Sequence, residues 1–493
     1  MLNKNKIAVI GSGISGLSAA IELAHSGEQV SLFEKNADLG GRARKFEEDG
    51  FTFDMGPSWY WMPDVFEKFY NDYGYTTGDF YDLVQLDPGF KIIFGEDDEF
   101  SVPANYNELL DLFESIEPGA AKKLDLFMEE AIYKYNVGVK RLIHKPALSP
   151  MEFVDMELIS GMFKLQVFKS FSKHVKKFFK HPKLIALMEF PVLFLGAMPE
   201  KTPALYSLMN YAGLKQGTFY PMGGFSKVID ALTTIAKDKG VEFRAGDAID
   251  QIIVPKDRVE GISSVSGRHD FSGVIASADY HFVEQTLLPK SKRVYSKEYW
   301  DSRVFAPSCL LFYMGVNKKI PNLDHHNLYF DEDLKQHAIE IYETKKWPAK
   351  PLFYVCCPSK TDPSVAPDGQ ENIFMLMPIA AGIQDTPEMR AQYFESLMDR
   401  LEKHTKCNIR DAIVYKRSYC VSNFEEDYNA YKGNAYGLAN TLMQTAFLKP
   451  KMMHQNVKNL VYAGQLTNPG PGVPPALISG QVAAKELLKH LNH

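Results

Sequence analysis

The sequence predicts an α/β protein built on a dinucleotide-binding domain that two insertions divide. Three observations carry this reading. A strand, a glycine turn, a helix and a second strand fill the first 35 residues. Short strands separated by turns recur over 240–275, in VEFRAG, IDQIIV, RVEGISSV and GVIAS. A strand at 458–463 leads through a Gly/Pro-rich segment into a last helix from about residue 476. The nucleotide-binding parts therefore fall at 1–90, 220–295 and 455–493. Residues 91–219 read as a mostly helical region and 296–454 as an α+β substrate-binding region.

The elements follow in order. Residues 6–10 (KIAVI) form a β-branched apolar run. Gly11 permits a tight turn off that strand, Gly13 lets backbone approach a pyrophosphate, and Gly16 lets the helix pack on the sheet. Ile14 and Ser15 open the helix, whose free N–H groups and positive dipole end suit phosphates. The next strand ends at Glu34, 23 positions after Gly11, near the spacing of an acid that binds a ribose hydroxyl pair. Lys35 follows, and then Gly40, Gly41 and Arg42, a guanidinium just past a glycine pair that can meet a pyrophosphate in bidentate fashion. The segment Phe53-Asp54-Met55-Gly56-Pro57-Ser58 comes next. Residues 87–103 read as a hairpin, 105–145 and 150–190 as helices, 308–316 and 351–357 as apolar strands, and 387–404 as an amphipathic helix. Tyr462-Ala463-Gly464-Gln465 and Asn468 to Ala476, with Gly472, Val473 and Pro474, deliver a strand into an exposed loop and a helix start.

Composition limits the functional classes. The chain has 493 residues, 45% apolar and 24% charged, which argues against disorder. A net charge of −6 offers no electrostatic reason to expect nucleic acid. The five cysteines show no metal-ligand spacing, so no metal is expected, and their sparse, odd number fits a reducing compartment. No run of 18 apolar residues predicts a transmembrane helix, and the N-terminus shows neither a secretory nor a transit segment.

Together these motifs resemble a known family. EKNADLGGRA is similar to the extended fingerprint of the amine oxidase and carotenoid desaturase flavoproteins. YPMGGF at 220–225, DYNAYKGNAYGLANTLMQTAF at 427–447 and NLVYAGQLTNPGPGVPPALISG at 459–480 resemble bacterial-type phytoene desaturases. The resemblance covers nearly the whole chain. It implies a Rossmann-type FAD-binding domain, a substrate domain and a helical, membrane-associated region. It implies FAD held by Gly11, Gly13, Ile14, Ser15, Gly16, Glu34, Lys35, Gly41 and Arg42, with Gly56, Pro57, Ser58, Gly464, Gln465, Gly472, Val473 and Pro474 along the flavin. The helix after Gly472 can then stabilise negative charge on the reduced ring. Neither Cys nor His stands within 54–58 or 464–474, so the flavin is expected to be non-covalent.

The implied activity is stepwise desaturation of phytoene, a long apolar polyene, towards lycopene, with oxygen or a quinone reoxidising FAD. Alternatives are a 1′-hydroxycarotenoid 3,4-desaturase type, a related carotenoid isomerase or saturase, and an amine oxidase sharing only the flavin domain. Desaturation sheds a hydride and a neighbouring proton. Asp54, Gln465 and His144 are candidate proton acceptors, and no sequence signal selects among them. Residues 162–188 place Leu165, Phe168, Phe171, Val175, Phe178 and Phe179 on one helical face beside Lys169, Lys173, Lys176, Lys177 and Lys180. With a bilayer-borne substrate, that pattern predicts an interfacial helix and a cytoplasmic protein peripheral to the membrane.

Overall fold

The computed structural model of the chain describes residues 4–153, 165–167 and 169–491. Its parallel sheet has five strands, in the order 460–462, 273–276, 6–10, 29–34 and 242–245. Every neighbouring pair runs parallel. Strands from the N-terminal, middle and C-terminal parts of the chain thus share one sheet. Lys6–Ile10 lies at its centre, and Ile7, Ala8 and Val9 are fully buried. A strand covered on both faces needs an unbroken apolar run, which KIAVI supplies.

The first helix, Ile14–His25, is flanked by the last helix, Val473–Leu491, and by Ser226–Asp238. Two glycines allow these approaches. A Cβ at Gly16 would stand 1.9 Å from the Gly11 carbonyl oxygen, and one at Gly480 would stand 2.2 Å from that of Ser15. The helix Ser226–Asp238 is capped from a distance: the Asp54 carboxylate accepts from the N–H of Phe225 (2.6 Å) and of Ser226 (2.9 Å).

The second sheet has seven strands, in the order 413–419, 308–316, 371–379, 353–356, 326–329, 90–95 and 98–102. It is antiparallel except where 326–329 runs parallel to 90–95. The hairpin near 87–103 therefore extends this sheet rather than opening a helical region. Side chains alternate between its faces. Leu310, Phe312 and Met314 pack beneath Phe394, Leu397 and Leu401 of the helix Pro387–Thr405. Cys309, Leu311 and Tyr313 face the other way, towards the helices that cover the opposite side.

Those helices bury the apolar face that the interfacial reading of 162–188 set against lipid. Met162 to Lys164 and Phe168 lie outside the described residues. Over the rest, Phe171–Phe178 is one short helix and Pro182–Glu189 another, broken where the His181 side chain caps the second helix by accepting from the Lys183 N–H. Leu165, Phe171, Val175, Phe178 and Phe179 are buried. Phe178 packs on Phe127 and Phe179 on Phe113, from the helices Ala120–Gly138 and Tyr106–Ile116. Lys173, Lys176, Lys177 and Lys180 remain exposed. An apolar stripe shows that a helix face is buried, not whether protein or lipid buries it. No described helix is long and apolar enough to cross a membrane.

Candidate cofactor and substrate site

One cavity of about 820 Å³ runs from the parallel sheet to the inner face of the second sheet. Gly11, Gly13, Ile14, Ser15, Glu34, Lys35, Gly41, Arg42, Gly56, Pro57, Ser58, Gly464, Gln465, Gly472, Val473 and Pro474 all line it. Gly16 does not, since its part is the helix–turn contact described above. The other half is apolar, with Trp59, Trp61, Phe190, Leu311, Phe330 and Ile341 among its walls.

The nucleotide half has the features of an anion site. No side chain caps the first helix and no acid stands in its first turn, so its leading N–H groups are free for a ligand. A Cβ at Gly13 would meet nothing within 4 Å, so the glycine leaves open space there. Glu34 is held rigidly. One carboxylate oxygen accepts from the N–H (3.0 Å) and hydroxyl (2.8 Å) of Ser12, the other from the Asn36 N–H (2.9 Å). Lys35 is tied to the Glu426 carbonyl instead of reaching inward.

Arg42 is walled by protein and faces the cavity. Its Nη2 donates to the Asn434 carbonyl at 3.1 Å, and the Tyr428 ring lies 4.9 Å from the guanidinium carbon. Its Nε is buried without a partner. Burial holds its pKa below the ordinary arginine value, with Asp279 opposing that shift. An unmatched donor on a desolvated cation, beside uncapped helix N–H groups, fits a diphosphate. The Gln465 amide lies 3.0 Å from the Asn434 side-chain oxygen; turned with its own oxygen to the guanidinium, it accepts from Arg42 at 3.1 Å.

Two of the candidate proton acceptors stand elsewhere. Asp54 is occupied in capping the helix Ser226–Asp238, and burial pushes its pKa up to about 6 against the pull of those two N–H groups. His144 lies in a turn at 142–144, away from the cavity lining. Sequence reasoning missed the wall formed by Ser277, Ala278 and Asp279. It follows the strand 273–276, and a Cβ at Gly11 would come 3.0 Å from the Ala278 nitrogen. Asp427 and Tyr428 were also missed as cavity residues, although DYNAY was legible as a motif.

Behind the loop 468–472, Lys449 is buried with its ammonium on the Pro469 carbonyl at 3.0 Å. Burial pushes its pKa down to about 7 from 10.5. Between those values the unfolded chain binds the extra proton, so this residue makes stability rise with pH from about 7 to about 10.5. Lys449→Met is expected to stabilise the protein at pH 7 by up to about 4 kcal/mol, and much less near pH 10.5. Denaturant melts at the two pH values check this, and equal shifts at both would refute it.

A glycine turn with the features of an anion site, opening into an apolar cavity, is the architecture of a dinucleotide-dependent oxidoreductase. The family model for flavin-containing amine oxidoreductases matches residues 14–488. The chain is 40% identical over 493 residues to a carotenoid 3,4-desaturase of Haloarcula japonica, covering 99% of each. It is 31% identical to a 4,4′-diapophytoene desaturase (4,4′-diaponeurosporene-forming) of Staphylococcus haemolyticus, again over 99% of each. Among solved structures, cyclohexylamine oxidase from Brevibacterium oxydans superposes with a TM-score of 0.59 at 15% identity, over 99% of this chain and 100% of that one. An oxidoreductase from Methanosarcina mazei gives 0.62 at 15% identity, over 96% and 98%. The chain belongs to the flavin-containing amine oxidoreductase family, and its cofactor is FAD.

Proposed function

We propose that this chain is a carotenoid desaturase that removes hydrogen from phytoene, an acyclic polyene without polar groups. The observation that carries this is the substrate half of the cavity, whose lining contains no Asp, Glu, Lys or Arg among the described residues. Its one imidazole is spent: His337 Nε2 bonds the Pro378 carbonyl at 3.0 Å and Nδ1 accepts from the Leu352 N–H at 2.9 Å. A hydrocarbon enters such a space without stranding a buried charge, whereas an ammonium would find no carboxylate. Full-length likeness to two carotenoid desaturases supports the same reaction class.

FAD, when bound, supplies the hydride acceptor. Arg42 and the N–H groups at Gly13 to Ser15 would neutralise its diphosphate, and Glu34 would accept from its ribose hydroxyls. Gly56, Pro57, Gly464, Gly472 and Val473 would present backbone and small side chains to the ring. The aromatic walls orient the polyene and exclude water, which protects a cationic substrate from capture. Oxygen or a quinone serves as the final acceptor.

A second reading has its own support. The Tyr342 hydroxyl lines the cavity and makes no hydrogen bond among the described residues. An oxygen-bearing carotenoid end would satisfy it, and the relative with 40% identity is a 3,4-desaturase. Co-expression in a host that makes only phytoene decides between the readings. Red lycopene or its yellow precursors are expected. Phytoene left untouched, with desaturation of a supplied 1′-hydroxylated carotene, would select the second reading.

Because phytoene resides in bilayers, the enzyme works at a membrane surface on the cytoplasmic side, through the exposed Lys173, Lys176, Lys177 and Lys180 rather than the buried phenylalanines. Reversing these four to Glu is expected to release it from anionic vesicles, as raised salt does in part. Unchanged vesicle co-sedimentation would remove this surface from consideration.

A further inference from the structure

Ser58 stands on the cavity wall between Gly56, whose Cβ position lies 2.6 Å from the Arg42 carbonyl oxygen, and Trp59 of the apolar half. Its hydroxyl lies 3.0 Å from the Tyr354 hydroxyl, which also lines the cavity. The Tyr354 oxygen lies 2.6 Å from Nδ1 of His326. His326 is fully buried, and its ring stacks on Trp59 with centroids 4.2 Å apart and planes 9° from parallel. Among the described residues its Nε2 has no partner, nor has Nε2 of the neighbouring His325. Three hydrogen-bonding groups thus run inward from the reaction space, and the Cys356 sulfur lies 3.7 Å from the same His326 Nδ1.

We infer that Ser58, Tyr354 and His326 form the path by which the substrate's proton leaves. The direction follows from the donor inventory. An imidazole protonated on Nε2 leaves Nδ1 as acceptor. Tyr354 then donates to Nδ1, and Ser58 donates to the Tyr354 oxygen. With a hydride and its electron pair lost from one carbon to the flavin that this cavity would hold, the adjacent C–H bond breaks. Its electron pair becomes the new π bond, and its proton passes to the Ser58 oxygen. Ser58 releases its original proton to Tyr354, and Tyr354 releases its own to Nδ1. The result is an imidazolium stacked on the indole face of Trp59, which offsets part of the cost of a buried cation.

Burial keeps His326 well below the ordinary imidazole pKa, so the ring is neutral and able to accept at the start of each turnover. The proton of an allylic cation is acidic enough to reach even a weak base. A void of about 20 Å³ lies behind Ser58, lined by Asp54, Tyr220, His325, Cys356 and Asn372, with room for one water beside polar groups. Its His325 ring lies 4.5 Å from that of His326.

The test uses FAD-loaded enzyme, substrate in vesicles, and substrate deuterated only at the carbon that loses the proton. Tyr354→Phe keeps the ring and removes the relay oxygen, and Ser58→Ala breaks the path one step earlier. Each is expected to lower kcat by about 100-fold, the scale of general acid–base catalysis, with KM little changed. Each is also expected to show an isotope effect at the deuterated carbon that wild type lacks, because proton loss has become slow. The FAD affinity of Tyr354→Phe and the melting temperatures of both variants, measured without substrate, should stay at wild-type values. Wild-type turnover in both variants overturns the inference, as does slower turnover with no isotope effect at that carbon. The inference rests on desaturation as the reaction. A wild-type enzyme that desaturates no supplied carotenoid would instead defeat that reading.

Discussion

Gly16→Val is expected to yield a chain that is largely insoluble and carries no flavin. The Cβ would stand 1.9 Å from the Gly11 carbonyl oxygen and 3.0 Å from its carbon, and both are backbone. No side-chain rotation relieves such an overlap. The first helix would have to lift from the turn, and it is already held against the last helix at Gly480. Overpacking a core costs roughly 1–3 kcal/mol when neighbours can yield, and more when backbone must move. Gly13→Ala is the informative contrast. Its Cβ meets nothing within 4 Å, so the variant should fold normally yet bind FAD poorly, because the methyl stands where a phosphate belongs. Flavin absorbance per mole of soluble protein and the melting temperature of each variant measure the two effects. A soluble, yellow Gly16→Val protein would show that this contact has slack the structure does not reveal.

Arg42→Ala is expected to weaken FAD binding by roughly 10- to 150-fold, the equivalent of a charge-assisted contact of about 1.5–3 kcal/mol. Without FAD the same variant should lose little stability. The free protein already bears the cost of a desolvated guanidinium with an unpaired Nε. Arg42→Lys should recover only part of the affinity, because an ammonium lacks the planar fork. Titration of deflavinated protein with FAD gives the affinities. Wild-type affinity in the alanine variant would mean that the helix N–H groups hold the diphosphate alone.

Much of this site is legible in the sequence. The glycines at 11, 13 and 16, the acid at 34, the arginine at 42 and the C-terminal glycine loop each follow from a local demand: a turn, a close approach, a helix start. Sixteen of the seventeen residues singled out line one cavity. Local demands leave local patterns, and a chain can be read for them. Asp54 was misplaced for the complementary reason. A carboxylate after a strand looks the same whether it faces a ligand or caps a helix 171 residues later in the chain.

By itself, the sequence determined the βαβ unit, the three-part origin of the parallel sheet and the glycine segments that line the cavity, because hydrophobic period and glycine placement are set within a few residues. Only the tertiary structure decided what the phenylalanine stripe at 171–179 is buried against, which loop closes over Arg42, and that Ser58, Tyr354 and His326 form a line. These contacts join segments hundreds of residues apart, such as Ser58 to Tyr354 and Arg42 to Asn434. Their energies depend on distance in space, which one chain's order of residues does not record.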